Sequence, residues 1–156
     1  MQTGLLHLHS FLRWVVILLA LITIVNSLRG MLMKKHFHRS HQRVSLFLLI
    51  SCDLQLLLGI TIYFVNGWWN AITGEGVDVM SDPMKRFFTV EHTIGMIIGI
   101  TLIHIGYASA KKALHSEPKF KRLFWYTLSA MIVILASVPW PFRQALGPHT
   151  WFPGMH

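Results

Sequence analysis

Two histidines, His9 and His92, have the side-chain type and the placement of a metal-ligand pair. His9 precedes Arg29, the basic residue that follows the first apolar run, by 20 residues, and His92 precedes Lys111 by 19. At about 1.5 Å of rise per helical residue, the two imidazoles are expected at the same depth of two helices. Imidazole binds iron, copper and zinc, so the pair predicts a metal or metal-cofactor site.

The helical phase of the first run favours His9 over the nearby His7 as the ligand. Five residues recur at steps of four, three, four and three, and so form one stripe: His9, Arg13, Val16, Ala20 and Thr23. Arg13 lies about one turn inside the apolar region, where a charged side chain is expected to face the interior of a bundle. His7 is about 200° away around the helix. We therefore expect His9 to face inward, with His7 as the less favoured ligand.

Small residues lie at the depth of Arg13. Gly95 precedes Lys111, and Gly59 follows Arg43, by the same 16 residues that separate Arg13 from Arg29. One interpretation is a flat slot beside the two histidines. The other is close packing of helix backbones, because Gly95 and Gly99 have the GxxxG spacing of membrane helix pairs. The sequence leaves both interpretations open.

The elements that must position these residues are membrane helices. The chain has 156 residues, of which 53% are hydrophobic and 13% charged, and runs of about 20 apolar residues are long enough to cross a bilayer. Four runs are predicted as spans: Leu5 to Leu28, Val44 to Val65, Phe87 to Ser109, and Leu123 to about Trp140. The prediction is an all-α protein of one domain, residues 1–156, folded as a four-helix up-down transmembrane bundle. Its first and third helices should lie on one diagonal.

The distribution of charge predicts the orientation. Ten of the 14 basic residues lie between the first and second runs or between the third and fourth. By the positive-inside rule these connections are cytoplasmic, so both termini lie outside. The net charge of +8 follows from this topology and from anionic lipid, and a nucleic-acid partner is not expected. Cys52 is the single cysteine, which excludes an internal disulfide and a CxxCH haem attachment.

Two inward histidines, a buried cation and a flat slot together suit a non-covalent b-type haem. Arg13 is then expected near a haem propionate or paired with Glu91, and Gly95 and Gly59 would line the slot. A second haem has less support, because no histidine in another span matches the depth of His104. Asp53, together with Gln55, lies nearer that level and is a candidate partner of His104, a proton site or a quinone contact.

The chain also resembles a known group of proteins. Its opening LHLHSFLRWVVILL, the Glu91-His92 start of the third span and the closing PWPFR and WFPG are similar to the small four-helix membrane proteins of bacteria labelled cytochrome b. The resemblance implies non-covalent haem and electron transfer, with His9 and His92 at the positions of the histidines. It also implies the bacterial inner membrane, which would place both termini in the periplasm. The paired-haem pattern of larger cytochrome b proteins is absent.

Three functions remain open from the sequence. The first is a haem b electron carrier or oxidoreductase subunit, with a quinone or another redox protein as its partner. The second is handling of copper or another metal on the outer side, since thioether and imidazole suit copper. Its candidate ligands are His7, His9, Met80, Met84 and His149. The third is a non-catalytic accessory subunit of a larger membrane complex, whose polar residues only hold its helices together.

Overall fold

The computed structural model describes residues 2–74 and 78–143, and within these ranges it contains helices and turns but no strand. The predicted ligand His149 and the rest of the carboxyl-terminal tail lie outside the described residues. The elements in chain order are α1 (Gln2–Leu32), α2 (Arg39–Val65), α3 (Trp68–Thr73), α4 (Pro83–Arg86), a π-helical turn (Phe87–Glu91), α5 (His92–Lys112) and α6 (Ser116–Ser137).

Four helical segments are long and apolar enough to cross a membrane: Thr3–Leu32, Arg39–Val65, Pro83–Lys112 and Ser116–Ser137. The third is continuous through α4, the π-helical turn and α5. All four of the predicted spans are therefore confirmed as helices, and the chain is a multi-pass membrane protein. Several helices extend beyond their apolar runs, because the basic residues that flank these runs are good helix formers.

Local sequence explains where two of the spans begin and end. At the start of the third span, Asp82 Oδ1 accepts hydrogen bonds from the N–H groups of Met84 and Lys85, and Pro83 occupies the first turn. The fourth span ends at Ser137 rather than near Trp140. Val138 is extended, with ψ of 138°, because it precedes Pro139 and a residue before proline is disfavoured in a helix.

The four long helices form a closed ring in which α1 packs against α2 and α6, and α5 packs against the same two neighbours. Helices α1 and α5 therefore occupy one diagonal, as predicted. The interior is apolar, with Val16, Leu48, Ile100 and Ala130 buried. The outer surface is apolar too, because side chains such as Phe11 are 60% exposed. A bundle with apolar residues inside and outside is suited to lipid.

Phe120 of α6 closes one end of the bundle. It is 1% exposed, and its ring centroid lies 5.0 Å from that of Phe37 and 5.1 Å from that of His41. The Phe37 N–H donates a hydrogen bond to Ser116 Oγ at 3.0 Å. The connection between α1 and α2 therefore lies beside the connection between α5 and α6. Both basic connections are at the same end of the molecule, as the charge pattern predicted.

Candidate functional site

His9 of α1 and His92 of α5 meet across the diagonal of the bundle. Their ring centroids are 6.5 Å apart and their planes are inclined by 68°. The phase prediction is also supported by the rest of the stripe, since Val16, Ala20 and Thr23 are all buried. His7 is exposed. The structure thus brings together the two histidines that the sequence selected.

The imidazole of His92 is held by α6. Its Nδ1 lies 2.7 Å from the carbonyl oxygen of Ser137, so in the tautomer that fits this contact Nδ1–H donates and Nε2 is left with a lone pair. A hydrogen bond from the second ring nitrogen to a carbonyl is the usual way in which proteins orient a metal-binding histidine. The rings of Phe87 and Phe88 lie 5.9 Å and 6.3 Å from that of His92. His92 is therefore fixed in a largely apolar environment.

The π-helical turn immediately before His92 was not predicted. Within this turn, Thr93 Oγ1 donates to the carbonyl of Phe88, five residues earlier. A π-helical turn holds one residue more than an α-helical turn, so it shifts the phase of everything before it. As a result, the two consecutive residues Phe87 and Phe88 both contact the His92 ring. Apolar periodicity gives no signal for such a turn.

His9 is contacted by α2 through residues one turn apart. Gln55 Nε2 donates to the main-chain carbonyl of His9 at 3.0 Å. A methyl group added at Gly59 would lie 3.4 Å from His9 Cε1, so the glycine gives the ring room. Among the described residues, His9 Nδ1 and Gln55 Oε1 are buried without a hydrogen-bond partner. Buried polar atoms are usually paired, so these two atoms mark a place where a ligand would gain contacts.

The structure corrects the position of Gln55. The sequence placed it with Asp53 near His104, but Gln55 lies about 200° around α2 from Asp53 and contacts His9 instead. The i, i+4 spacing of Gln55 and Gly59 was the available signal, because residues at this spacing share a helix face.

Arg13 lies between two indole rings rather than beside Glu91. Its guanidinium carbon is 5.5 Å from the ring centroid of Trp14 and 5.8 Å from that of Trp140. Trp140 Nε1–H donates to the carbonyl of Leu135 at 2.8 Å, which fixes the indole. The prediction had treated Trp140 only as an interfacial residue. Cation–π contacts of this kind stabilise a cation in a partly desolvated position.

The predicted pairing of Arg13 with Glu91 is replaced by another ion pair. The Glu91 carboxylate accepts from Arg86 Nε at 2.8 Å, and both side chains are nearly half exposed. Glu91 immediately precedes His92, so it projects about 100° away from it around the helix. This rotation places Glu91 on the outer surface of the bundle.

Gly95 occupies the packing position and does not line a slot. A methyl group added there would lie 1.9 Å from Ser137 Oγ and 2.7 Å from Ser137 Cβ. Gly99 and Gly106 meet Ile134 and Tyr126 of α6 in the same way. The glycines of α5 therefore allow the α6 backbone to approach closely. Of the two glycines predicted to line a slot, Gly59 alone adjoins a histidine ring.

A second polar pair joins α2 and α5 deeper in the bundle. His104 Nε2 lies 2.8 Å from Asp53 Oδ1, and the two side chains are 44% and 43% exposed. The predicted partnership of these residues is confirmed. Because His104 Nε2 is engaged by a carboxylate, a second haem at this level gains no support.

The other candidate copper ligands lie on the surface. Met80 is 59% exposed and Met84 is 39% exposed. Within residues 2–74 and 78–143, no group of three or more histidine, cysteine, aspartate or glutamate side chains converges on a common point. The His9–His92 pair is thus the arrangement that best suits a metal or a metal cofactor.

Comparison with known proteins adds no relationship. No family model matches the chain, and neither the curated proteins nor the solved structures compared with it give a significant match.

Proposed function

We propose that this protein is a membrane electron carrier, or the electron-transfer subunit of an oxidoreductase, that binds one non-covalent b-type haem through His9 and His92. The observation that carries the proposal is the approach of two buried imidazoles from diagonal helices, with ring centroids 6.5 Å apart. Two metal–nitrogen bonds of about 2 Å, plus the radius of each ring, give roughly 6.4 Å between the centroids of linearly coordinated imidazoles. The separation therefore suits an ion held between the rings.

The surroundings of the two rings support the proposal. The Ser137 carbonyl orients His92, and Gly59 leaves space beside His9. Arg13, one helical turn from His9, supplies a positive charge that would attract a haem propionate and favour the reduced iron. A bound haem supplies one-electron chemistry, and burial and hydrogen bonds to its ligand rings tune its potential.

The topology that we propose places this site near the outer face of a bacterial inner membrane. The basic connections at the Phe120 end of the bundle would be cytoplasmic, which puts both termini in the periplasm. His9 and His92 would then lie on the periplasmic side. A quinone in the bilayer or a periplasmic redox protein is the class of partner that can reach a haem at this depth.

An absorption spectrum tests the proposal. The protein is purified in mild detergent from cells supplied with haem, and spectra are recorded before and after reduction with dithionite. We expect a Soret band that shifts on reduction and resolved α and β bands, as for low-spin bis-histidine haem. His9→Ala and His92→Ala should each abolish these bands, and the matched control His7→Ala should keep them. A colourless wild-type preparation would contradict the proposal.

A second candidate function is the binding of a bare copper ion by the same two histidines. The close packing of Gly95 against Ser137 favours it, because an ion needs only the space between two rings and a macrocycle needs a slot. Metal analysis of the same preparation separates the two functions. Copper without haem bands would support this candidate. Absence of both would leave an accessory subunit, whose polar residues hold its helices together.

A further inference from the structure

A second feature that could bind a ligand lies at the opposite end of the bundle from His9 and His92. A cavity of about 30 Å³ opens among α2, α5 and α6, and an adjoining hollow of about 200 Å³ lies along the first turns of α2. The two share Gln42. We call them together the basic groove, and its polar lining residues are Arg39, Gln42, Arg43, Tyr107, Lys111 and Lys119.

The charge of the basic groove is of one sign. Four of its lining side chains are cationic, and among the described residues that line it none is acidic. Gln42 and Tyr107 add neutral hydrogen-bond donors. Arginine and lysine together with such donors are the groups that proteins use to bind phosphate. The chemistry of the groove therefore matches a phosphate group.

The groove is held in shape by the packing at this end of the bundle. Lys119 Nζ lies 5.4 Å from the ring centroid of Phe37, which also lines the cavity. Phe37 in turn donates its N–H to Ser116 and packs on Phe120. This arrangement directs the Lys119 ammonium group along the cavity wall and limits its freedom, so less entropy is lost when an anion binds.

Apolar side chains continue from the groove toward the middle of the membrane. Phe47 and Ile50 follow Arg43 by four and seven residues, so all three share one face of α2. Phe47 is 58% exposed and Ile50 is 43% exposed. A ligand with its phosphate in the groove would thus have its attached chains beside an exposed apolar surface. Free phosphate would leave that surface unused.

From this geometry we propose that the basic groove is a binding site for the phosphate of an anionic phospholipid. Basic pockets between membrane helices at the cytoplasmic side are known to take such head groups. The proposal does not depend on haem or copper, since the groove and the two histidines lie at opposite ends of the bundle. It makes the lipid a structural ligand that joins α2, α5 and α6.

The test is a lipid titration of the full-length protein in detergent, followed by native mass spectrometry, which resolves each bound lipid. Phosphatidylglycerol, phosphatidylcholine and inorganic phosphate are the probes. The wild type should bind phosphatidylglycerol at least about tenfold more tightly than phosphatidylcholine. Lys111→Gln/Lys119→Gln should weaken binding of phosphatidylglycerol by about 30-fold, the product of two lysine contributions near a membrane surface.

The matched control is Lys112→Gln/Lys121→Gln, which removes the same charge from exposed neighbours in the same two helices. It should weaken binding less than about threefold, because long-range attraction is screened by salt. An equal loss in both double variants would mean diffuse attraction and would overturn the proposal. Equal binding of the two lipids would overturn it too. Displacement of the lipid by millimolar inorganic phosphate would show that the groove takes free phosphate instead.

Discussion

The contact between Gly95 and Ser137 allows a quantitative prediction about the helix pair that holds His92. In Gly95→Ala the new methyl carbon would lie 2.7 Å from Ser137 Cβ, an atom that cannot move without its backbone. Overpacking of this kind costs up to about 3 kcal/mol. The higher helix propensity of alanine returns about 1 kcal/mol. The expected loss in free energy of unfolding is therefore about 2 kcal/mol.

The double variant Gly95→Ala/Ser137→Gly tests the stated cause. It moves the bulk from α6 to α5 and removes both clashing atoms, so the loss caused by Gly95→Ala should largely disappear. Ser137→Gly alone should cost about 1 kcal/mol or less, because Ser137 is the last residue of its helix. The two substitutions should thus show a coupling energy of at least about 1 kcal/mol.

Reversible unfolding of the protein in mixed detergent micelles, followed by circular dichroism, measures these differences. Gly4→Ala is the matched control, because a methyl group added at Gly4 meets nothing within 4 Å. It should leave stability unchanged or slightly raised. If the effects of Gly95→Ala and Ser137→Gly simply add, the cost does not arise from this contact and the reasoning fails.

Three further substitutions give separate checks on the two polar pairs and on Arg13. Arg13→Leu should lower the midpoint potential of a bound haem by on the order of 80 mV, taking about 8–10 Å and an effective dielectric constant of about 20; an unchanged potential in a redox titration would remove Arg13 from the site. Asp53→Leu should destabilise the bundle by about 1 kcal/mol through loss of the contact with His104, whereas Asp53→Asn should retain most of the stability in the same unfolding assay. Glu91→Gln should leave haem or metal content unchanged, because Glu91 binds Arg86; a loss of the cofactor would return Glu91 to the site.

The sequence predicted the spans and the diagonal histidines because both depend on simple periodicity. Membrane thickness sets the length of each apolar run, and the basic residues at its end give the depth of every residue in it. The inward stripe of α1 followed from the cost of placing Arg13 in lipid. Depth and phase within one helix were therefore sufficient to select His9 over His7.

Other parts of the site depend on contacts between helices, which periodicity does not specify. A glycine that lines a cavity and one that admits a neighbouring helix have the same sequence, so Gly95 could be assigned only once Ser137 was seen against it. Trp140 reaches Arg13 because the chain turns back after Ser137. The π-helical turn changes the phase of α4 relative to α5, and it has no mark in the apolar pattern.

The bond between Asp53 and His104 also bears on how the protein is made. The two residues are 51 positions apart, so at about 5–20 residues per second Asp53 is synthesised roughly 3–10 s before its partner. During that interval the second helix carries a carboxyl group without its final neighbour, at a cost of about 2.5–3.5 kcal/mol if it is charged at the middle of the membrane. The first hairpin is therefore complete in sequence but not in energy. Release of this hairpin from the insertion machinery is favoured only when the third span arrives, which makes the pair a link between successive steps of biogenesis.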